Sequence, residues 1–221
     1  MIKTKLAWVV SSIFAIGLAT GASAATLTFQ NAETTPSLRL VVDDAASPGN
    51  FRFSLSTVVG TADFLGLAFN FDGASVEADD ITFVSATRAD GSASIIDLEL
   101  FGDNTGSQNT CGPGCNFNGA GSPTVFDYIV RIGEQGGGGP GGINFVESVV
   151  FDISTTATLA TSPFSGFAVR AQSTSNASGS IKTSLDLVPD VPSVPLPAGL
   201  PLLASGVLVA GFLRRRGKAQ S

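Results

Sequence analysis

Two cysteines, no histidine and a surplus of carboxylates bound the chemistry open to this chain. Cys111-Gly112-Pro113-Gly114-Cys115 is its sharpest local feature. Outside the cytoplasm, an even pair of nearby cysteines closes a disulfide, and Gly-Pro-Gly can bend tightly enough to bring the sulfurs together. A redox-active pair would use a two-residue spacer at a helix start, and neither is present. A metal site would need more ligands than two thiols. With no His anywhere, Ser-His-Asp and Cys-His catalysis are excluded, along with the commonest transition-metal ligand.

Carboxylates cluster at Asp43-Asp44, at Glu77, Asp79 and Asp80, and at Asp103-Asn104. Hard oxygen ligands suit Ca²⁺, so a structural calcium ion is the one cofactor they would accept, around Asp72, Asp79 and Asp80. EF-hand spacing is absent and solvated acidic loops are the commoner explanation, so no cofactor is expected. Paired carboxylates also serve glycosidases, but a chain with 18 acidic residues offers such pairs by chance. The run Gly136-Gly137-Gly138-Gly139-Pro140-Gly141-Gly142 lacks the Lys-Ser/Thr pair of a phosphate loop, since Ile143-Asn144 follows it. Trp8 is the only Trp and falls near the N-terminus, so Tyr128 and the phenylalanines are the aromatics left for stacking against a sugar.

Charge is distributed unevenly. Between Ala25 and Asp190 six basic residues meet 18 acidic ones, a net charge of −12. Such a domain repels phosphate backbones, so nucleic acid is not an expected partner.

The basic residues gather at the ends. Lys3 and Lys5 precede an apolar run from Leu6 to Leu18, and Ala22-Ser23-Ala24 supplies small residues where a signal peptidase reads. Residues 1–24 are therefore expected to be a signal peptide, cut between Ala24 and Ala25. At the other end, Val194-Pro195-Leu196-Pro197-Ala198 leads into an apolar stretch over 199–213, expected to be a transmembrane helix, and then Arg214-Arg215-Arg216. Fifteen apolar residues are few against the ~20 that span a bilayer, but counting from Val194 makes up the length. Basic clusters stay on the cytoplasmic side. Both ends thus start inside, and the domain between them is placed outside.

The order VPLPA, short apolar helix, arginine cluster resembles the VPLPA-CTERM sorting tail, a relative of the PEP-CTERM tails, over residues 194–221. The resemblance implies a Gram-negative source and recognition by a membrane-embedded cysteine protease of the exosortase type. It further implies an inner-membrane-anchored precursor, cleavage near the motif, and transfer to the cell surface or the extracellular polymer. Gly217-Lys218-Ala219-Gln220-Ser221 runs a little past the arginines.

Residues 25–188 form the domain, and 189–193, with Pro189 and Pro192, a stiff linker. Period-2 alternation marks strands at Leu38–Val42, Phe51–Ser56 and Leu65–Phe71, the last with Leu65, Leu67, Phe69 and Phe71 on one face. Further strand-like runs are Ile81–Ala86, Ser94–Phe101, Val125–Ile132, Phe145–Ile153, Phe164–Ala171 and Ser180–Val188, rich in Val, Ile, Phe and Thr. Turn clusters such as Ser47-Pro48-Gly49-Asn50 and Asp90-Gly91 separate them. The expected fold is all-β, an antiparallel β-sandwich of jelly-roll type, with 103–123 a long loop. The expected function is that of an exported, non-enzymatic surface or matrix protein whose processing partners are signal peptidase and an exosortase-type protease. The alternative is a glycan- or protein-binding module of the extracellular polysaccharide matrix, which an aromatic face including Tyr128 would favour.

Overall fold

Phenylalanine and β-branched residues at alternate positions can bury one side of a strand only if a second sheet covers it. The computed structural model describes residues 25–44, 50–119, 125–136, 139–155 and 163–189 and has this arrangement. One antiparallel sheet contains β1 (Thr26–Gln30), β2 (Ser37–Asp43), β3 (Asn50–Val59), β5 (Ile81–Thr87), β8 (Ser148–Ser154) and β11 (Asp186–Leu187), in the order β11-β1-β2-β3-β8-β5. The other contains β4 (Asp63–Phe71), β6 (Glu99–Gly102), β7 (Tyr128–Arg131), β9 (Phe164–Gln172) and β10 (Ser180–Ser184), in the order β10-β9-β4-β7-β6. A single turn of 3-10 helix, Ala78–Asp80, is the only helix among the described residues.

The sheets meet through phenylalanine. Phe53 of β3 stacks on Phe151 of β8 with ring centroids 5.1 Å apart, and stands edge-on to Phe164 of β9, also at 5.1 Å. Phe29 meets Phe167 at 4.6 Å and Phe69 meets Tyr128 at 5.7 Å. Edge-to-face and offset pairs add about 0.5–1.5 kcal/mol each beyond their area burial. Tyr128 is fully buried, and its hydroxyl accepts the Val76 N–H at 3.0 Å. It ties the loop after β4 to the core and presents no surface for a sugar.

Several strands differ from expectation. β1 is not among the expected strands; of its five residues only Phe29 is buried. Of Ser94–Phe101 only the end forms a strand, as β6; residues 95–98 line a surface depression instead. β7 and β8 start later than the apolar runs that contain them, although Phe145 and Val146 are fully buried in the connecting segment. Ser180–Val188 splits at buried Leu185, where the chain leaves one sheet for the other. In β4 a bulge between Phe64 and Gly66 resets the pleat, so Phe64 joins Leu67, Phe69 and Phe71 in the main core. Leu65 faces the opposite way, into a second apolar cluster.

The pairing of β1 with β11 fixes where the chain enters and leaves. Phe29 lies opposite Leu187 in antiparallel register, and the Val188 N–H donates to the Thr28 carbonyl at 2.8 Å. Ala25 and Pro189 therefore emerge at the same end of one strand pair.

Candidate functional site

The outer face of the second sheet is covered by chain rather than left open. A free antiparallel face would be polar and wet. Here the segment after β6 folds back over it, and β4 is buried on both sides. Leu65 and Ala68 of β4, Ile129 of β7 and Ala168 of β9 pack against Cys111, Cys115, Phe117 and Phe126 of that segment. Cys111 and Cys115 are joined as a disulfide with Cα atoms 5.1 Å apart, and no described cysteine is free. The bend closes because Gly112 and Gly114 take φ of 97° and 73°, values that a side chain disfavours. Inside it, the Cys111 N–H donates to the Cys115 carbonyl at 2.8 Å.

Beneath the disulfide runs one rung across all five strands: Lys182 (β10), Arg170 (β9), Gly66 (β4), Arg131 (β7) and Glu99 (β6). Gly66 leaves room for the sulfurs, since a Cβ there would lie 3.0 Å from each. Arg131 reaches Glu99 at 3.6 Å. Arg170 and Lys182 are instead held by neutral oxygens. Arg170 Nη1 donates to the carbonyls of Ala171 and Ile181, and Lys182 Nζ to Asn116 Oδ1 and the Asn118 carbonyl. Burial pushes Arg170 down from its ordinary pKa; burial and then the Arg170 charge do the same to Lys182. Half of the domain's basic residues thus lie on one rung of a strongly acidic body. At its Glu99 end opens a depression of about 650 Å³ lined by Asp97, Glu99, Arg131, Glu134 and the exposed Ile95.

Asp72, Asp79 and Asp80, the acids weighed as calcium ligands, do not converge. Asp72 and Asp79 are exposed, and the Asp80 carboxylate accepts the Glu77 N–H at 2.9 Å, capping the 3-10 turn. Among the described residues no three His, Cys, Asp or Glu side chains form a group that could hold a metal. Ala22, Ala24, Val194–Ala198 and Arg214–Arg216 lie outside the described residues. Within them, no helix is long and apolar enough to cross a membrane.

Sequence reasoning missed the carboxylate of Asp63 and named Asp44 only as part of an acidic pair. Asp63, at the start of β4, is fully buried and accepts the Val146 N–H and a Gln172 Nε2–H, both at 2.9 Å. Burial pushes its pKa up, against the pull of those two bonds. Asp44 accepts the backbone N–H of Ala25 at 3.0 Å. Neither has a sequence signal beyond being an acid beside a strand. No family model, curated protein or solved structure matches this chain.

Proposed function

We propose that this chain is an exported, non-enzymatic cell-surface or extracellular-matrix protein, made as a precursor anchored in the inner membrane of a Gram-negative cell. An exosortase-type protease then processes it at the tail. The observation that carries this reading is the common exit of Ala25 and Pro189 beside the β1–β11 pair. A leader at one end and an anchor at the other must enter the same bilayer. A domain whose ends emerge side by side meets that demand without spanning strain. The winding between the sheets is read as jelly-roll-like, and the disulfide suits an oxidising compartment. The test is the intact mass of the protein recovered from its host's envelope and medium. A species beginning at Ala25 and ending within Val194–Ala198 supports the reading. A chain still carrying Arg214–Arg216 and held in the inner membrane refutes the processing.

The second reading is a glycan-binding module of the matrix, favoured by Arg170 and Lys182, whose donors meet neutral oxygens and form a local basic site against the domain's net negative charge. Aromatic stacking does not support it, because Tyr128 is wholly buried. Affinity electrophoresis in a uronic-acid polysaccharide would show retardation that salt and Lys182→Gln both abolish. Equal mobility of the wild type with and without polysaccharide discards the reading.

A further inference from the structure

The position expected to become the N-terminus after export already has a carboxylate aimed at it. Ala25 is the residue before β1, and its backbone nitrogen lies 3.0 Å from Asp44 Oδ1. The contact is reciprocal, since the Asp44 N–H points at the Ala25 carbonyl at 3.4 Å. Register explains the placement. Thr26 lies opposite Asp43, so the residues just outside that pair, Ala25 and Asp44, face each other where β1 and β2 end. In the precursor the bond is one between a neutral amide and a carboxylate. Hydrolysis of the Ala24–Ala25 peptide changes its character. Water adds across the C–N bond, Ala24 leaves with a carboxylate, and Ala25 keeps the nitrogen as an amine that is protonated at neutral pH.

We propose that Asp44 is the receiving site for the α-ammonium group that signal-peptide removal creates. The inference rests on the cleavage position proposed above and adds a consequence to it. Processing turns a neutral-donor hydrogen bond into an ion pair that pins the first strand. Charge-assisted bonds are roughly twice as strong as neutral ones. The gain falls on β1, which pairs with the last strand and stands next to the chain's exit. Other charges nearby are Asp43, opposite Thr26, and Arg52, opposite Asp43 and ion-paired with Asp152. Asp186 stands opposite Gln30, at the other end of β1. Asp43 reinforces the ammonium, while Arg52 is already engaged with its own carboxylate.

An α-amine titrates at about 7.7–8.0 when unperturbed, and a carboxylate in contact raises that value. A pKa raised in the folded state contributes stability that is fully present below the unfolded value. That stability is lost as pH rises through the folded one. The window therefore opens near pH 8 and extends upward.

The test uses mature protein recovered from cells expressing the full gene with its own leader, as wild type and as Asp44→Asn. Competitive acylation at a series of pH values, read by mass spectrometry on the N-terminal peptide, gives the α-amine pKa of each, folded and in denaturant. The expected result is an N-terminal peptide starting at Ala25. Its folded pKa should stand about one unit above the denatured value in wild type and lose most of that rise in Asp44→Asn, where only Asp43 remains nearby. A peptide that starts at Ala25 with the same pKa in all four samples overturns the ion pair and leaves the processing reading standing. A peptide starting elsewhere overturns both.

Discussion

Replacing Gly66 by alanine should destabilise the protein only while the disulfide above it is present. The methyl carbon would lie 3.0 Å from both sulfurs and 3.4 Å from the Val130 carbonyl oxygen. The sulfurs belong to a short closed loop seated on Leu65, Ala68, Ile129 and Ala168, so the loop must lift off that cluster to make room. Overpacking of this kind costs about 1–3 kcal/mol. Replacing a strand glycine recovers about 0.5–1 kcal/mol of backbone entropy. The net expectation is about 1–2 kcal/mol, which for a domain of this size lowers Tm by about 2–8 °C. Removing the bridge with Cys111→Ala/Cys115→Ala has its own cost. For a closed loop of about five residues the chain-entropy relation gives about 2 kcal/mol at 25 °C, with lost sulfur packing added. In that background the obstacle to a methyl group at Gly66 is gone, and Gly66→Ala should be neutral or mildly stabilising. Thermal unfolding of the four proteins without reductant closes the cycle, with an expected coupling of about 1–2 kcal/mol. Costs that add within about 0.5 kcal/mol would refute the placement of the disulfide over Gly66.

Two further perturbations test the buried polar groups. Asp63→Ala leaves the Val146 N–H without its acceptor, and urea midpoints should report a loss of about 1–3 kcal/mol. Because burial raises the Asp63 pKa, the folded state holds its proton to higher pH than the unfolded chain. Its contribution to stability should therefore fall as pH rises from about 3.9 through the folded value, and Asp63→Asn should flatten that part of the profile. Tyr128→Phe keeps the ring contact with Phe69 but orphans the buried Val76 N–H, a cost of about 1–3 kcal/mol that calorimetry would detect. An unchanged Tm in that variant would mean that the loop after β4 finds another partner.

How much of this was legible beforehand depends on whether a residue's partners are local. The two-sheet class follows from alternation at Leu38–Val42 and Phe51–Ser56, where each face has one environment, and the strands form there. Leu65 went to the wrong face because a bulge at Phe64/Gly66 shifts the pleat, and a bulge is set by the partner strand β9. Residues 94–98 carry strand-like side chains, but strand pairing needs a neighbour, and only β6 obtains one from β7. The disulfide was readable because its residues are five positions of one segment. The rung beneath it was not, because Lys182, Arg170, Gly66, Arg131 and Glu99 come from five strands whose register no single segment encodes. Asp44 and Ala25 are 19 positions apart and meet only through the β1–β2 register.

The least legible strand is also the one on which the functional proposal turns. β1 has a single buried side chain, Phe29, so its own burial does little to hold it. Its hold comes from β2 on one side, from the two-residue β11 on the other, and from the hydrogen bond of Ala25 to Asp44 at its start. A leader still attached at Ala25 and an anchor attached beyond Pro189 would both pull at this corner, where the pairing is shortest. Beside it, Leu27, Phe29, Phe164, Phe167 and Leu187 line an apolar groove of about 320 Å³ between the sheets' edges. Fraying of β11 would widen that groove and expose Phe29 and Phe167. The ion pair proposed to form on leader removal would act at the same corner. Order of processing would then matter physically: leader removal first would strengthen β1 while the tail still tethered the chain. The opposite order would release a domain whose first strand lacked its ion pair.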